Sequence, residues 1–458
     1  MTGQSKLNIP ERKIILVLGD LLIIGLSIFF FLFYVLDNEN LGMFPMVVLT
    51  GLGLFSYFFL AYVLNFYYLA NDSRYTVNII MKGLIVSILF IFAQIIGSVI
   101  LFDFSFWRVN LLLFLFLTPI AILIWRRLFT FAFKFISTTK KVLYIHDGYI
   151  SSDWEKYVEI INGKGINTFY NVVDVIDISD KNQLQEDELK NINNEIDSWI
   201  LDINTANPLP KFVEKTMLEA LVAGKEVVTF TSFYENIYEA LPIITHNANE
   251  SCAEILQIQH TRVRYLSKIF NFTINFSLSL FIGLIFVLVT PFVFLLNLVF
   301  NPGPLFYLQK RVGRYGKEFN IYKFRSMVVD AEKSGAKMAT KNDARITPFG
   351  RVLRMFRIDE LPQIVSVIKG DMLFIGPRPE RKVFVDKLNE ITPYYNIRHL
   401  IKPGITGWAQ VKFKYGENLN DSIKKLEYDL YYIKMHSIAL DLRIIFKTFT
   451  TILFSRGV

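Results

Sequence analysis

Four long apolar runs, at about 14–36, 44–70, 79–102 and 109–131, fill most of the first 140 residues of this 458-residue chain. Each can cover the roughly 20 residues needed to cross a hydrocarbon core about 30 Å thick. Hydrophobic residues make up 52% of the chain and charged residues 20%. That balance excludes a disordered protein and argues against a wholly soluble one. The first run is too long for a signal peptide, and no small-residue cleavage site follows it. Asp20 lies inside this run. A lone intramembrane carboxylate marks function by default, but a position near the helix end, facing water or headgroups, is the simpler reading. Lys6, Arg12 and Lys13 precede the first run, Arg74 and Lys82 lie between the second and third, and a basic cluster from Arg126 to Lys141 ends the fourth. The positive-inside rule then predicts four crossings with both ends of the unit in the cytoplasm.

Residues 141–261 read differently. From 141 to 268 the chain carries 11 Lys and Arg against 20 Asp and Glu. Short apolar runs at 142–145, 171–176, 199–201 and 226–230 alternate with helical patterns near 152–162 and 211–223, which predicts a small α/β unit with a mostly parallel sheet. Its first strand ends in His146-Asp147-Gly148. The Gly-x-Gly-x-x-Gly turn that brings backbone close to a pyrophosphate is missing, so a standard dinucleotide site is excluded. A regulatory or dimerising module is the better reading. The single cysteine, Cys252, excludes an intramolecular disulfide, and five scattered histidines argue against structural zinc.

A fifth apolar stretch covers 269–300 within a third part, 262–458. A straight helix of this length would reach about 48 Å, too long for a comfortable crossing. Pro291 interrupts it, and basic residues flank both ends. The economical expectation is a helix that enters the membrane, breaks at Pro291 and returns to the same face. A tilted, kinked crossing is the alternative. Residues 301–458 hold 28 Lys and Arg against 15 Asp and Glu, a surface for an anionic partner. Nucleic acid is not that partner, since no recognition helix or stacking platform is apparent. Anionic membrane lipids and phosphorylated substrates fit better. The tail, with Leu442, Ile445, Phe446, Phe449, Ile452 and Leu453 at helical spacing, reads either as an interfacial helix or as one packed on a core.

Four segments of this part could carry chemistry. In Ile321-Tyr322-Lys323-Phe324-Arg325, Lys323 and Arg325 are two apart and would share a strand face. Such a pair would clamp a diphosphate, or else sit in solvent. In Arg354-Met355-Phe356-Arg357-Ile358-Asp359-Glu360-Leu361-Pro362, the two carboxylates are either an acidic helix start or a nucleophile beside a Mg²⁺ ligand. In Gly376-Pro377-Arg378-Pro379, two prolines restrict the backbone around one guanidinium, which suits phosphate recognition. Trp408, in Gly407-Trp408-Ala409-Gln410-Val411, could stack on a base, sit at the membrane surface, or pack in a core.

Together these segments and the proline-containing stretch resemble the catalytic domain of bacterial polyprenyl-phosphate sugar-1-phosphate transferases, the monotopic phosphoglycosyl transferases, over nearly all of 262–458. The upstream arrangement is similar to that of the long members. The resemblance implies a membrane α-helical N-terminal bundle of four transmembrane helices, a degenerate cytoplasmic α/β Rossmann-like domain, and a monotopic α+β catalytic domain with a re-entrant helix broken at Pro291. It implies transfer of a sugar 1-phosphate from a UDP-sugar to undecaprenyl phosphate, with release of UMP, at the cytoplasmic face of the bacterial inner membrane. Such a step initiates lipid-linked exopolysaccharide, capsule or O-antigen. By similarity Asp359 matches the nucleophile and Glu360 its partner associated with Mg²⁺. Lys323, Arg354, Pro377 and Arg378 match active-site positions, and Asp429 a further acidic one. Lys412-Phe413-Lys414 stands where family members often have Asn-Gly-Arg, so nothing is carried over there. A catalytically silent scaffold or regulator of polysaccharide assembly is the alternative, and a homodimer is left open.

Overall fold

The computed structural model describes residues 14–27, 47–48, 51, 53–58, 61, 88, 92, 120–129, 131, 140–147, 170–179, 186–203, 209–243, 265–331, 343–413 and 419–453. These fall into two compact units that divide after Val228.

In the first unit, α1 (Ile14–Ser27) is apolar, and residues 120–129 are helical. Most of the four expected crossings, and the helix expected near 152–162, lie outside the described residues. Asp20 does not face water or headgroups. It is fully buried, and Arg126 Nη2 donates to its Oδ2 at 2.7 Å. A carboxylate held out of water needs a paired cation, and here the partner comes from the fourth apolar run, 106 residues away. Trp125 follows the same route and donates from Nε1 to the Leu16 carbonyl at 3.4 Å.

Further along, β1 (Lys140–His146), β2 (Tyr170–Asp177), β3 (Ser198–Asp202) and β4 (Glu226–Thr229) form one sheet in the order β2-β1-β3-β4. The pairings of β1 with β2 and with β3 are parallel. Helices α2 (Glu186–Glu195) and α3 (Lys211–Val222) accompany it. Leu189 and Val213 pack with Leu143, Ile145 and Trp199 in the core of this sheet. β1 and β3 read as continuous apolar runs because the sheet buries both of their faces.

The second unit starts with α4 (Phe230–Tyr238), capped by the Thr229 side chain. The sequence places this helix with the middle domain, yet its contacts are with the C-terminal region. Tyr234 donates to Glu427 at 2.8 Å, Lys434 pairs with Glu235 at 2.6 Å, and Leu241 enters the apolar core. Next comes α5 (Tyr265–Phe300), 36 residues long. The break expected at Pro291 corrects to one helix with an internal proline. Pro291 costs a single backbone hydrogen bond, and the neighbouring Thr290 hydroxyl bonds the Phe286 carbonyl at 2.6 Å.

The rest is compact α+β. An antiparallel hairpin, β5 (Phe306–Val312) and β6 (Glu318–Phe324), is followed by α6 (Pro348–Met355), a 3-10 turn (Ile358–Gln363) and α7 (Ile364–Ile368). Then come β7 (Leu373–Ile375), α8 (Lys382–Ile391), a second 3-10 segment (Pro393–Leu400) and β8 (Gly404–Thr406), which pairs parallel with β7. Helices α9 (Trp408–Lys412), α10 (Leu419–Lys434) and α11 (Ile438–Leu453) complete the unit. Ile321, Ile364, Phe374, Trp408, Tyr432 and Ile444 form its main core, against which Leu278, Ile282 and Phe286 of α5 pack. Leu440 and Ile444 are buried there, so α11 begins as a core-packed helix rather than an interfacial one. Trp408 is also core, fully buried, with its Nε1 donating to the Glu239 carbonyl at 2.9 Å. Lys412, Arg443 and Lys447 lie about its ring, so it neither stacks on a base nor faces lipid.

Gly350 lets the first turn of α6 lie against the backbone just past the end of β6. A Cβ there would stand 1.9 Å from the Ser326 carbonyl oxygen. Gly350→Ala should therefore cost about 1–3 kcal/mol, since neither backbone can yield cheaply. Thermal unfolding of the purified chain checks this, and an unchanged melting temperature would contradict the packing described.

Candidate active site

The site is built where α6 ends. Thr347 caps the helix start by accepting from Gly350 N at 3.0 Å, and Pro348 fits the first turn. The helix stops at Phe356, and Arg357 takes a left-handed conformation with φ 57°. A non-glycine residue rarely holds that conformation unless its surroundings enforce it. The reversal lets the chain restart as the 3-10 turn that carries Asp359 and Glu360, with Pro362 accommodated inside it.

Three cations converge on Glu360 Oε1: Arg378 Nη2 at 2.5 Å, Lys323 Nζ at 3.5 Å and Arg357 Nη1 at 3.9 Å. Burial opposes the Glu360 charge, but Arg378, Lys323 and Arg357 outweigh it and hold the carboxyl well below its usual range. The same pairing raises the Arg378 guanidinium further. Burial lowers the Lys323 ammonium against the pull of Glu360.

Asp359 differs. It is buried, and its Oδ1 has no hydrogen-bond partner among the described residues. Burial, then the adjacent Glu360 charge, raises its carboxyl, with Lys323, Arg354 and Arg357 pulling the other way. Adjacent carboxylates are thus pushed apart by their surroundings, the usual sign of two separate tasks.

The remaining expected residues divide. Arg354 Nε donates to Ser326 Oγ at 2.9 Å, and its charge pulls the Asp359 carboxyl downward. Pro377 belongs to the Arg378 loop, where its carbonyl accepts from Gly404 N at 2.9 Å. That loop needs Gly404, because a Cβ there would fall 2.1 Å from Gly376 N.

Arg325 is not a phosphate clamp beside Lys323. β6 ends at Phe324, so the strand alternation no longer applies. Its guanidinium is spent on carbonyls of Asn301, Pro304 and Met327. It ties the end of α5 to the hairpin. Asp429 is buried and paired with Arg398 at 2.8 Å. Burial lifts its carboxyl to about 6 against that cation. Sequence reasoning gave no role to Ser326, Arg357, Arg311 or Arg398. Arg357 at least stands inside the acidic motif. Arg398 has no motif to flag it, since two of its partners are 20 and 31 residues distant in the chain.

Among the described residues no three His, Cys, Asp or Glu side chains group as a metal site. Asp359 and Glu360 are the carboxylates on offer. This fits an ion such as Mg²⁺, which takes one or two carboxylates and completes its shell with substrate phosphates and water.

A buried carboxylate with an unpartnered oxygen, a charge-balanced neighbour and an apolar helix docked on the same domain core thus lie in one unit. The profile of bacterial sugar transferases matches residues 266–455. An exopolysaccharide production protein PSS from Rhizobium leguminosarum is 39% identical over 163 residues, 34% of this chain and 82% of that protein. The chain belongs to the bacterial sugar transferase family. It is also 50% identical over 157 residues to a UDP-N-acetylgalactosamine-undecaprenyl-phosphate N-acetylgalactosaminephosphotransferase from Aeromonas hydrophila, covering 34% of this chain and 37% of the relative. A UDP-glucose:undecaprenyl-phosphate glucose-1-phosphate transferase from Xanthomonas campestris is 46% identical over 156 residues, 33% of this chain and 32% of the relative. The match thus spans about a third of the length of each of these last two proteins.

A titration of ¹³C-labelled aspartate should place Asp359 above the ordinary value of about 3.9. Glu360→Gln should bring it down, because one repelling charge is removed while Lys323, Arg354 and Arg357 remain. An Asp359 that titrates at or below the ordinary value would contradict the electrostatics described.

Proposed function

We propose that this chain transfers a sugar 1-phosphate from a UDP-sugar to undecaprenyl phosphate through a covalent intermediate on Asp359. The observation that carries the reading is the unpartnered, buried Oδ1 of Asp359 beside a Glu360 whose charge is already balanced. An Asp359 oxygen attacks the sugar-linked phosphorus, the bond to the bridging oxygen breaks, and UMP leaves with that electron pair. The phosphate oxygen of the lipid then attacks the same phosphorus and frees the Asp359 carboxylate. Lys323, Arg354 and Arg378 offset the repulsion between an anionic nucleophile and an anionic diphosphate. All three cations on Glu360 contact Oε1, which leaves its other oxygen to hold Mg²⁺ together with donor phosphates. When bound, that ion would neutralise charge on the diphosphate.

The lipid acceptor sets the location. The helix Asn271–Phe300 is long and apolar enough to cross a membrane, and Phe276, Leu280, Leu284, Val287, Leu295 and Val299 face outward on α5. Yet the basic domain holds this helix at both ends. Phe374 N donates to Asn275 Oδ1 at 2.8 Å, and Asn297 Nδ2 donates to the Gly303 carbonyl at 3.1 Å. The two anchors are about 33 Å apart along the helix, as much as the hydrocarbon core is thick. A straight crossing would pull the charged domain into lipid, so both ends of α5 stay on one face, with the helix bending at Pro291 rather than breaking there. In this reading both flanks are cytoplasmic, the protein resides in the bacterial inner membrane, and the N-terminal runs cross it four times. The acidic sheet unit is a degenerate Rossmann-like module beside the membrane. The product initiates a lipid-linked exopolysaccharide, capsule or O-antigen.

The purified chain with undecaprenyl phosphate, Mg²⁺ and a panel including UDP-N-acetylgalactosamine and UDP-glucose should release UMP from at least one donor. Asp359→Asn should lower that rate by at least about a thousandfold, as expected when a covalent nucleophile is removed. A fully active Asp359→Asn chain would exclude the covalent route. No release from any donor by a folded protein would favour a silent scaffold. Cysteines introduced near Asn301 should be labelled only from the cytoplasmic side, and labelling only from outside would exclude the returning helix.

A further inference from the structure

We propose that Arg311 and Arg398 are positioning residues for catalysis: they grip the backbone on which Arg378 stands and so set where its guanidinium meets Glu360 and a substrate diphosphate. This rests on the reading of the site as a handler of nucleotide diphosphates.

The need for a grip follows from the sequence. Pro377 and Pro379 have no N–H, so the segment on either side of Arg378 lacks the donors that ordinarily tie a loop to its neighbours. Its carbonyls do that work instead. The Pro377 carbonyl accepts from Gly404 N at 2.9 Å. The Arg378 carbonyl accepts from Arg398 Nη2 at 2.7 Å. The Pro379 carbonyl accepts from Arg311 Nη1 at 3.2 Å. Three consecutive carbonyls are thus held, two of them by guanidinium groups from distant parts of the chain.

Each arginine is itself fixed. Arg311 stands one residue before the end of β5, pairs with Glu380 at 3.1 Å, and bonds Gln309 Oε1 through Nε at 3.0 Å and Nη2 at 2.5 Å. The following residue, Val312, bonds the Glu380 carbonyl through its N–H at 2.8 Å. On the other side Arg398 is buried and held by Asp429 at 2.8 Å and by the Tyr395 hydroxyl. Asp429 thereby acts two steps from the diphosphate, through Arg398, and not as a direct ligand. A displacement of about 1 Å in a positioning group can cost a hundredfold in rate. A loop with two missing donors is where such drift would arise.

The test is a double-mutant cycle on the full-length protein with Arg311→Gln, Arg378→Gln and the pair. It is read on kcat/KM for the UDP-sugar and on the Kd for inorganic pyrophosphate. Arg311→Gln alone should cost about tenfold to a hundredfold in kcat/KM, and about threefold or less once Arg378 is already Gln, because coupled residues fail to add. Pyrophosphate affinity should show the same non-additivity. Arg311→Lys should recover part of the loss. Equal losses in both backgrounds, or less than about a twofold loss from Arg311→Gln, would overturn the proposal. Should Arg311→Gln unfold the domain, Arg311→Lys keeps the charge, removes the guanidinium fork and goes through the same cycle. A wild-type protein that releases no UMP would remove the transferase reading, and the pyrophosphate cycle would still decide this one. A wild type that binds no pyrophosphate would overturn the positioning proposal too.

Discussion

Glu360 is a nearly buried carboxylate on which Arg378, Lys323 and Arg357 converge. Breaking a buried pair by removing one partner is costly, because the other charge is left where water hardly reaches. The three cations come from the β6 strand, the left-handed turn after α6 and the doubly prolyl loop after β7. One carboxylate therefore joins three separate segments. It also absorbs positive charge that would otherwise neutralise Asp359. The site holds one carboxylate with an oxygen gripped by three cations and one with a buried oxygen that no described residue meets, a division of labour that a single acidic residue could not support.

The apolar helix α5 belongs to the same construction. Phe286 packs on the hairpin residues Phe306 and Phe324, and Val293 lies with Phe324 and Leu353 in a small core. Phe324 directly follows Lys323, and Leu353 directly precedes Arg354. The cations of the site are thus seated on residues that the helix buries. At the end of the helix, Arg325 closes the join through the Asn301 and Pro304 carbonyls. In the proposed reading this is how a site for a soluble donor comes to stand at the level of a lipid phosphate. The apolar anchor and the catalytic scaffold share one core.

Much of this was legible in the sequence because it is local. Asp359, Glu360 and Arg378 stand in short motifs whose residue types and spacing already suggested phosphate chemistry, and the structure brings them together with Lys323. Strands β1, β3 and β4 were visible as short apolar runs. The failures were non-local. Arg325 was misassigned because strand alternation was carried one residue past the end of β6. Asp20 reads as solvent-facing in the sequence because its partner, Arg126, lies in another apolar run. Pro291 was expected to split a helix that packing holds together. Asp429 is buried with a cation whose own role is fixed by a third residue, and no spacing rule reaches that far. The membership of α4 in the C-terminal unit rests on Tyr234, Glu235 and Glu239 meeting Glu427, Lys434 and Arg443, pairs about 200 residues apart.

The most direct measurement of the central claim is the intact mass of the purified protein after incubation with a UDP-sugar and Mg²⁺ in the absence of lipid acceptor. The proposed chemistry predicts a gain of one sugar phosphate, lost on adding undecaprenyl phosphate, absent in Asp359→Asn, and mapped by fragmentation to the peptide containing Asp359. UMP release with no adduct at any time, or an adduct on another residue, would contradict it.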